Sequence, residues 1–469
     1  MEDFQAALEV CDLFDLGFQG YKFTWNNKRP GTANTRERLD RAVVNREWKD
    51  KFSASTLTHG FSHASDHVPI FLQTGTDRDF RGRGSCGFRF EESWLMWDDC
   101  EGVVMDSWIN SGGEVGGLSA MVNKIKGCGS DLMSWGSAKT APATEEIKLL
   151  TKKIERMSKE ELTVESREEV LEASKKLDDL LLKQEIFWAQ RSRVSWLKHG
   201  DRNTKFFHSK ASQRRKRNFI HGIQNQQGIW VDDIGEVAEV AINYFETIFQ
   251  SGTCDRMDEC LDTVPQRITT DMKEELSRPY SVEEVKIALF QMGPTKAPGP
   301  DGMNALFYQK FWHIVGNDVS SAVLDFLNSG IMIPEINYTH IVLIPKVKSP
   351  EKMTEFRPIS LCNVIYKIIS KMIANRLKTI LPQLISPTQS AFVPGRLITD
   401  NVLLAYETLH AMHGRKKGKT GALALKLDVS KAYDRVEWNF LRGIMVKLGF
   451  PEVWIDRVMS CVTTPSFSV

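Results

Sequence analysis

The stretch LALKLDVSKAYDRVEW, residues 423–438, delivers one aspartate at the end of an alternating run. Leu423, Leu425 and Leu427 alternate with Ala424, Lys426 and Asp428, so a strand here sets Asp428 on the face opposite the leucines. A carboxylate so placed can hold a metal ion, and metal-dependent phosphoryl transfer needs further carboxylates to complete a two-metal site. Downstream the acids are Asp434, Glu437, Glu452 and Asp456, none adjacent. IWVDD, residues 229–233, holds an adjacent pair far upstream, where Asp232 or Asp233 reads as the N-cap of the helix that follows. Tyr433 lies just beyond Asp428, between Ala432 and Asp434. Read locally, the same residues also fit a helix-capping aspartate followed by a core tyrosine.

Other candidates surround this one. IPK puts Lys346 at a strand end and FRPIS puts Arg357 after a loop, a pair of cations suited to a triphosphate or a template backbone. SPTQSAFVPGR adds Gln389, Ser390 and Arg396 between helices, with polar groups suited to backbone contacts. A solvated lysine and a surface arginine are the commoner fates of such residues. Between Arg191 and Arg217 ten Lys or Arg face a single acid, Asp201, interleaved with Trp196, Phe206 and Phe207. Cations with aromatics suit an RNA backbone with stacked bases, and Arg214, Arg215, Lys216 and Arg217 with Phe206 are the candidates. The competing reading is a solvated helical face. Near the start, RLDR and SDHVPI carry Asp40, Asp66 and His67. Read on its own, an isolated SDH is more often a turn than a catalytic site.

The elements that must position these residues fall into three parts. Residues 1–75 mix short β-rich runs with turns, and DRDFRGRGSCG reads as a boundary. Residues 76–280 form a mostly helical, partly basic connector. Leu149, Leu150, Ile154, Leu177, Leu181 and Trp188 recur among alternating charges as in long amphipathic helices that form a hairpin. IHGIQNQQGIWVDD predicts a β-hairpin, with a helix after it through Phe249. Residues 281–469 open on a helix with Ser281 and Glu284 at capping-box positions. KAPGPDG is a turn with Asp301 as the cap of a helix through Leu306, Phe307 and Trp312, and THIVLIPK is a buried strand. FRPIS is a loop feeding a helix with Ile365, Ile369, Met372 and Ile380, and two more helices end the chain.

Composition bounds the rest. The chain has 469 residues, 42% hydrophobic, long enough for two to four domains, and its 61 basic against 60 acidic residues leave a formal charge of +1 that says nothing about partners. Its 8 cysteines form no CxxC pair, so no zinc site or disulfide framework is indicated, and an intracellular compartment fits. No signal-peptide core opens the chain, and no window holds the roughly 18 uninterrupted apolar residues of a membrane span.

KAPGPDG, IVLIPK, FRPISLCNVIYKIISKMIANRL, SPTQSAFVPGR and LDVSKAYDRVEW together resemble the fingers and first palm segment of a reverse transcriptase from plant LINE-type, non-LTR retrotransposons, over residues 281–469. WLKHGDRNTKFFH resembles the segment between endonuclease and polymerase in these polyproteins. FTWNN, RLDR and SDHVPI resemble the last strands of their exonuclease–endonuclease–phosphatase domain, over residues 1–72. The resemblance implies an α+β chain: a fragment of a four-layered endonuclease fold, a helical connector, and the fingers with part of the palm of a right-hand polymerase.

It further implies that Asp428 is the first catalytic Mg²⁺ ligand and Tyr433 the ring that excludes a 2′-hydroxyl. Lys346 and Arg357 become nucleotide- and template-contacting fingers positions, and Gln389 to Arg396 the template-side loop. His67 becomes the endonuclease base and Asp40 its orienting carboxylate, with Asp66 beside the histidine; Asn26 and Arg38 match less securely. The implied partners are an RNA template, a DNA primer or target and deoxynucleoside triphosphates, in a nuclear or cytoplasmic ribonucleoprotein. By the family pattern the endonuclease starts upstream of this chain and the aspartate pair lies downstream of it. The expected activity of the chain alone is therefore none, and a nucleic-acid-binding remnant or a pseudogene product are the alternatives.

Overall fold

The computed structural model describes residues 2–20, 22–27, 29, 33–52, 55–60, 65–74, 87–111, 116–157, 164–193, 204–252, 256–414, 423–429 and 431–469. The boundary segment DRDFRGRGSCG lies almost entirely outside them, as do Trp196 and Asp201.

The first 74 residues pair short strands around two helices. In order they are α1 (Glu2–Val10), β1 (Phe14–Asp15), β2 (Trp25–Asn26), β3 (Arg36–Glu37), β4 (Val43–Val44), α2 (Arg46–Lys51), β5 (Thr56–His59) and β6 (Ile70–Gln73). β1 pairs with β4, β2 with β3 and β5 with β6, all antiparallel. The β-rich texture of this region is thus matched, while both helices went unforeseen.

The connector contains α3 (Cys100–Asn110), α4 (Leu118–Met157), α5 (Val164–Ser192) and α6 (Thr204–Asn218). Lys153 meets Glu169 at 3.4 Å and Lys176 meets Glu146, a pairing in which one helix number rises as the other falls. α4 and α5 therefore form the expected antiparallel hairpin. Leu149 nevertheless stays exposed, and Leu180 is the buried leucine of α5. β7 (Ile223–Gln224) and β8 (Trp230–Val231) form the predicted hairpin, followed by α7 (Ile234–Phe249). Asp233 caps α7, accepting from the Gly235 and Glu236 amides, which accounts for the IWVDD acids without chemistry.

The remaining elements are α8 (Met257–Asp262), α9 (Thr270–Ser277), α10 (Val282–Phe290), α11 (Ala305–Lys310), α12 (Trp312–Ser329), α13 (Pro334–Asn337), β9 (Tyr338–Pro345), β10 (Phe356–Leu361), α14 (Val364–Leu384), α15 (Ile398–Gly414), α16 (Trp438–Leu448), α17 (Glu452–Thr463) and β11 (Ser466–Ser468). Ser281 and Glu284 make the full capping box of α10. One apolar core joins both ends of this segment to the connector: Phe90, Trp94 and Trp108 pack with Phe307, Phe326 and Ile369. A second cluster seats Ile223 and Phe245 against Ile341 and Phe356, tying the β7–β8 hairpin to the sheet.

Four local expectations are corrected. FRPIS is strand β10, not a loop, and runs antiparallel to β9 with Arg357 opposite Ile344; β11 pairs with β9 on the other side. Pro358 is tolerated there because β10 is an outer strand, where a missing N–H costs no ladder bond. Asn304, not Asp301, caps α11 by accepting from the Phe307 amide at 3.1 Å, while Asp301 closes a tighter turn onto the Met303 amide at 3.0 Å. The helix expected through Trp312 breaks at Phe311 into α11 and α12. Residues 423–429 form no strand, and Leu423, Leu425 and Leu427 are 89%, 74% and 80% exposed. Alternation makes a strand only beside a partner, and among the described residues none pairs with this stretch. Among the described residues no helix is long and apolar enough to cross a membrane.

Candidate functional site

Around Asp428 the structure joins two of the predicted pieces. Tyr433 sits on the short turn 432–435 and is 76% exposed. Its ring meets Phe392 edge-on, centroids 6.1 Å apart and planes at 82°. Phe392 is itself 79% exposed and belongs to the 386–396 loop, so the tyrosine and the proposed template loop share one surface. Lys431 fixes the turn from below, its ammonium 4.1 Å from the centre of the Tyr244 ring on α7. Phe392 was not foreseen as part of the site, although an aromatic in a polar loop was the available signal.

The loop is held by its own arginine. Arg396 donates to the carbonyls of Gln389 (2.6 Å), Ser386 (2.5 Å), Ile385 (3.2 Å) and Pro382 (3.2 Å). Its guanidinium thus closes the C-terminal end of α14, where orphan carbonyls and the helix dipole favour a cation. Gln389 turns back onto the Ala391 carbonyl, and buried Ser390 accepts from Asn401 of α15. Lys346 donates to the Thr354 carbonyl at 2.8 Å across the β9–β10 connection, and Arg357 is exposed on β10. Among the described residues no hydrogen bond or ion pair joins Lys346 or Arg357 to Asp428 or Tyr433.

Among the described residues no group of three His, Cys, Asp or Glu stands together as a metal site. Asp428 is exposed and, among the described residues, belongs to no such group, so the donors present do not fit a two-metal Mg²⁺ centre.

The N-terminal candidates do come together. His67 Nδ1 lies 2.8 Å from Asp40 Oδ2, across 27 residues of sequence. Asp40 is placed by Thr24, whose buried hydroxyl oxygen accepts from the Leu39 and Asp40 amides at 2.9 Å each. The hydrogen bond to Asp40 is the main reason His67 holds its proton above the ordinary histidine range. Burial opposes charge on Asp40, but bonds from His67 and Thr24 outweigh it and hold the carboxyl below its usual range. Asp66 accepts from the Trp25 indole at 3.0 Å, which lowers its pKa, and its carbonyl accepts from the Asn26 amide. Arg38 lies elsewhere: it grips Asp15 through two 2.8 Å contacts and covers the Phe18 ring.

Arg215, Lys216 and Arg217 fall in the last turn of α6, with Arg214 just before them. Arg214, Arg215 and Arg217 are exposed, while Lys216 is half-buried and donates to the Ser55 carbonyl. Phe207 is the core ring of α6, 2% exposed; Phe206 is half-buried beside it, edge-on at 5.5 Å, with Lys210 over its face.

Comparison with known proteins bears on the second half of the chain. Residues 344–468 match the family described as reverse transcriptase (RNA-dependent DNA polymerase). The chain is 32% identical, over 55% of its own length and 20% of the relative's, to a Xenopus laevis protein described as the uncharacterized 149 kDa protein of transposon TX1. It is 26% identical, over 40% of its length and 17% of the relative's, to a Drosophila melanogaster retrovirus-related Pol polyprotein from type-2 retrotransposable element R2DM. A putative 115 kDa protein in the Drosophila type-1 element R1DM is 23% identical over 51% of this chain and 22% of its own. The chain spans about a fifth of the length of these curated relatives. Residues 344–468 are thus similar to reverse transcriptases, and about half of the chain is similar to proteins of the TX1 and R1DM transposable elements.

Proposed function

We propose that the chain is part of the RNA-directed DNA polymerase of a LINE-type, non-LTR retrotransposon, with residues 281–469 as fingers and first palm segment and residues 1–75 as the end of an endonuclease domain. The observation that carries this reading is the family match over 344–468, which spans Lys346, Arg357, the 386–396 loop, Asp428 and Tyr433. The edge-on contact of Tyr433 with Phe392 supports it, because it sets the sugar-facing ring beside the template loop. The substrates are an RNA template, a primer 3′-hydroxyl and deoxynucleoside triphosphates. Mg²⁺ is the cofactor this reading implies, and Asp428 is the carboxylate this chain would offer it.

This chain's residues contribute around that chemistry. Tyr433 packs under the incoming sugar and excludes a 2′-hydroxyl by contact. Lys346 and Arg357 bring positive charge to phosphates. Arg396 keeps the template loop in shape through its four carbonyls rather than by touching RNA. In the N-terminal part, the Asp40 carboxylate accepts a hydrogen bond from Nδ1–H of His67, which leaves Nε2 to accept a proton from the attacking water.

A polypeptide carrying this chain should incorporate deoxynucleotides on a primed RNA template. Tyr433→Ala should then let ribonucleotides in, raising their incorporation relative to deoxynucleotides by at least about ten-fold, on the order of the 1.4 kcal/mol that one lost contact supplies. Unchanged sugar discrimination would remove Tyr433 from this role.

A further inference from the structure

A cleft of about 490 Å³ opens where three distant segments meet: the β1–β5 region, the end of α6 with the β7–β8 hairpin, and the loop after β9. Its cations are Lys49 from α2, Lys216 and Arg217 from α6, and Lys348 from the β9–β10 connection. The acid lining it, Asp15, is already committed, because Arg38 and Arg41 each hold its carboxylate at 2.8 Å. The lysines therefore meet no free counter-charge from Asp15. His221, also in the wall, has an enclosed Nε2 without a hydrogen-bond partner. Burial and the neighbouring Lys49 lower the Lys216 pKa, as expected where cations crowd without an anion.

Two rings stand at the same opening. Phe219 is 54% exposed, and Trp230 is 37% exposed with its indole laid against Gly222, where a Cβ would stand 2.6 Å from the ring. Cations that track phosphates beside exposed rings that stack on bases are the combination that holds a single strand.

We propose that this cleft binds a single-stranded nucleic-acid segment, with one or two phosphates among Lys49, Lys216, Arg217 and Lys348 and a base against Phe219 or Trp230. The proposal rests on the reading of the chain as a nucleic-acid-handling protein and is independent of polymerisation. It divides the basic run of α6: Lys216 and Arg217 work with lysines from two other segments, whereas Arg214 and Arg215 lie outside the cleft lining.

The test is fluorescence anisotropy of the 469-residue chain with a labelled oligouridylate of about eight nucleotides, without Mg²⁺ or nucleotides, at several salt concentrations. Failure of polymerase activity does not touch this measurement. Lys49→Ala with Lys348→Ala, both outside the α6 run, should weaken binding about ten-fold and reduce the salt slope by about 1.4, two single-strand phosphate contacts at roughly 0.7 each. Lys310→Ala on α11 is the charge control and should change neither. Phe219→Ala should weaken the oligouridylate about ten-fold while leaving competition by inorganic phosphate unchanged. Parent-like affinity and slope in the double variant, with loss confined to Arg214→Ala and Arg215→Ala, would overturn the cleft. An inert Phe219→Ala would reduce it to a phosphate-ion site and overturn the single-strand assignment. Equal competition by polyglutamate would show attraction between charges alone and overturn it as well.

Discussion

Asp301 and the His67–Asp40 pair show opposite ways of shifting a carboxyl. Burial pushes Asp301 up to about 7, more than the Met303 amide and Lys367 pull it down. A carboxyl raised in the folded state binds a proton that the unfolded chain has already lost, so stability falls as pH climbs from about 4 to about 7. Asp301→Asn should therefore match the parent near pH 4 and exceed it by ~1–4 kcal/mol near pH 8, read from denaturant midpoints at each pH. Equal stability at both values would mean that Asp301 is solvated. For His67 the hydrogen bond to the Asp40 carboxylate raises the pKa above 6.5, so Asp40→Asn should bring it back down, followed through the imidazole carbon proton shift by NMR. A parent-like titration in that variant would dissolve the pair. The sequence named His67 and Asp40 only through resemblance, since a separation of 27 positions gives no local sign that they touch. The acceptors of Arg396 are four backbone carbonyls, which no side-chain pattern announces.

Helices α10 and α14 are locked by one buried arginine. Arg376, 3% exposed, meets both Glu284 oxygens at 2.9 Å, donates to the Leu276 and Pro279 carbonyls and lies 3.5 Å from the Tyr280 ring. Glu284 also completes the capping box of α10, so one carboxylate joins a helix start to a neighbouring helix. Removing a single partner leaves a buried charge alone, and Arg376→Ala should cost ~3–5 kcal/mol of unfolding free energy in a urea titration. A loss under about 1 kcal/mol would show the pair to be solvated. On α6, Phe207→Ala should cost ~3–5 kcal/mol of stability, whereas Phe206→Ala should cost less and weaken single-strand binding by ~1–3 kcal/mol if the half-buried ring also stacks on a base. Lower stability with unchanged binding for Phe206→Ala would make that ring packing only. Element positions were largely legible: the capping box, the β7–β8 hairpin, the Asp233 cap and the α4–α5 hairpin follow from spacing alone. What misled were the alternating leucines at 423–427, whose pattern cannot say whether a partner strand is there.

At the scale of the molecule, the connector and the reverse transcriptase segment share a core, with Trp108 donating to Asp318 at 2.8 Å across 210 residues. Contacts of that range are invisible to periodicity, and so was the cleft built from three segments. The central claim is that Asp428 supplies a carboxylate for RNA-templated DNA synthesis. The direct measurement is deoxynucleotide incorporation on a primed RNA template with Mg²⁺, by the 469-residue chain and by a longer polypeptide that carries it at the length of the relatives. The account predicts no incorporation by the chain above its own Asp428→Ala control. It predicts synthesis by the longer polypeptide that Asp428→Asn lowers by at least about a thousand-fold, roughly 4 kcal/mol of lost transition-state stabilisation. Synthesis that survives Asp428→Asn in the longer polypeptide would contradict it.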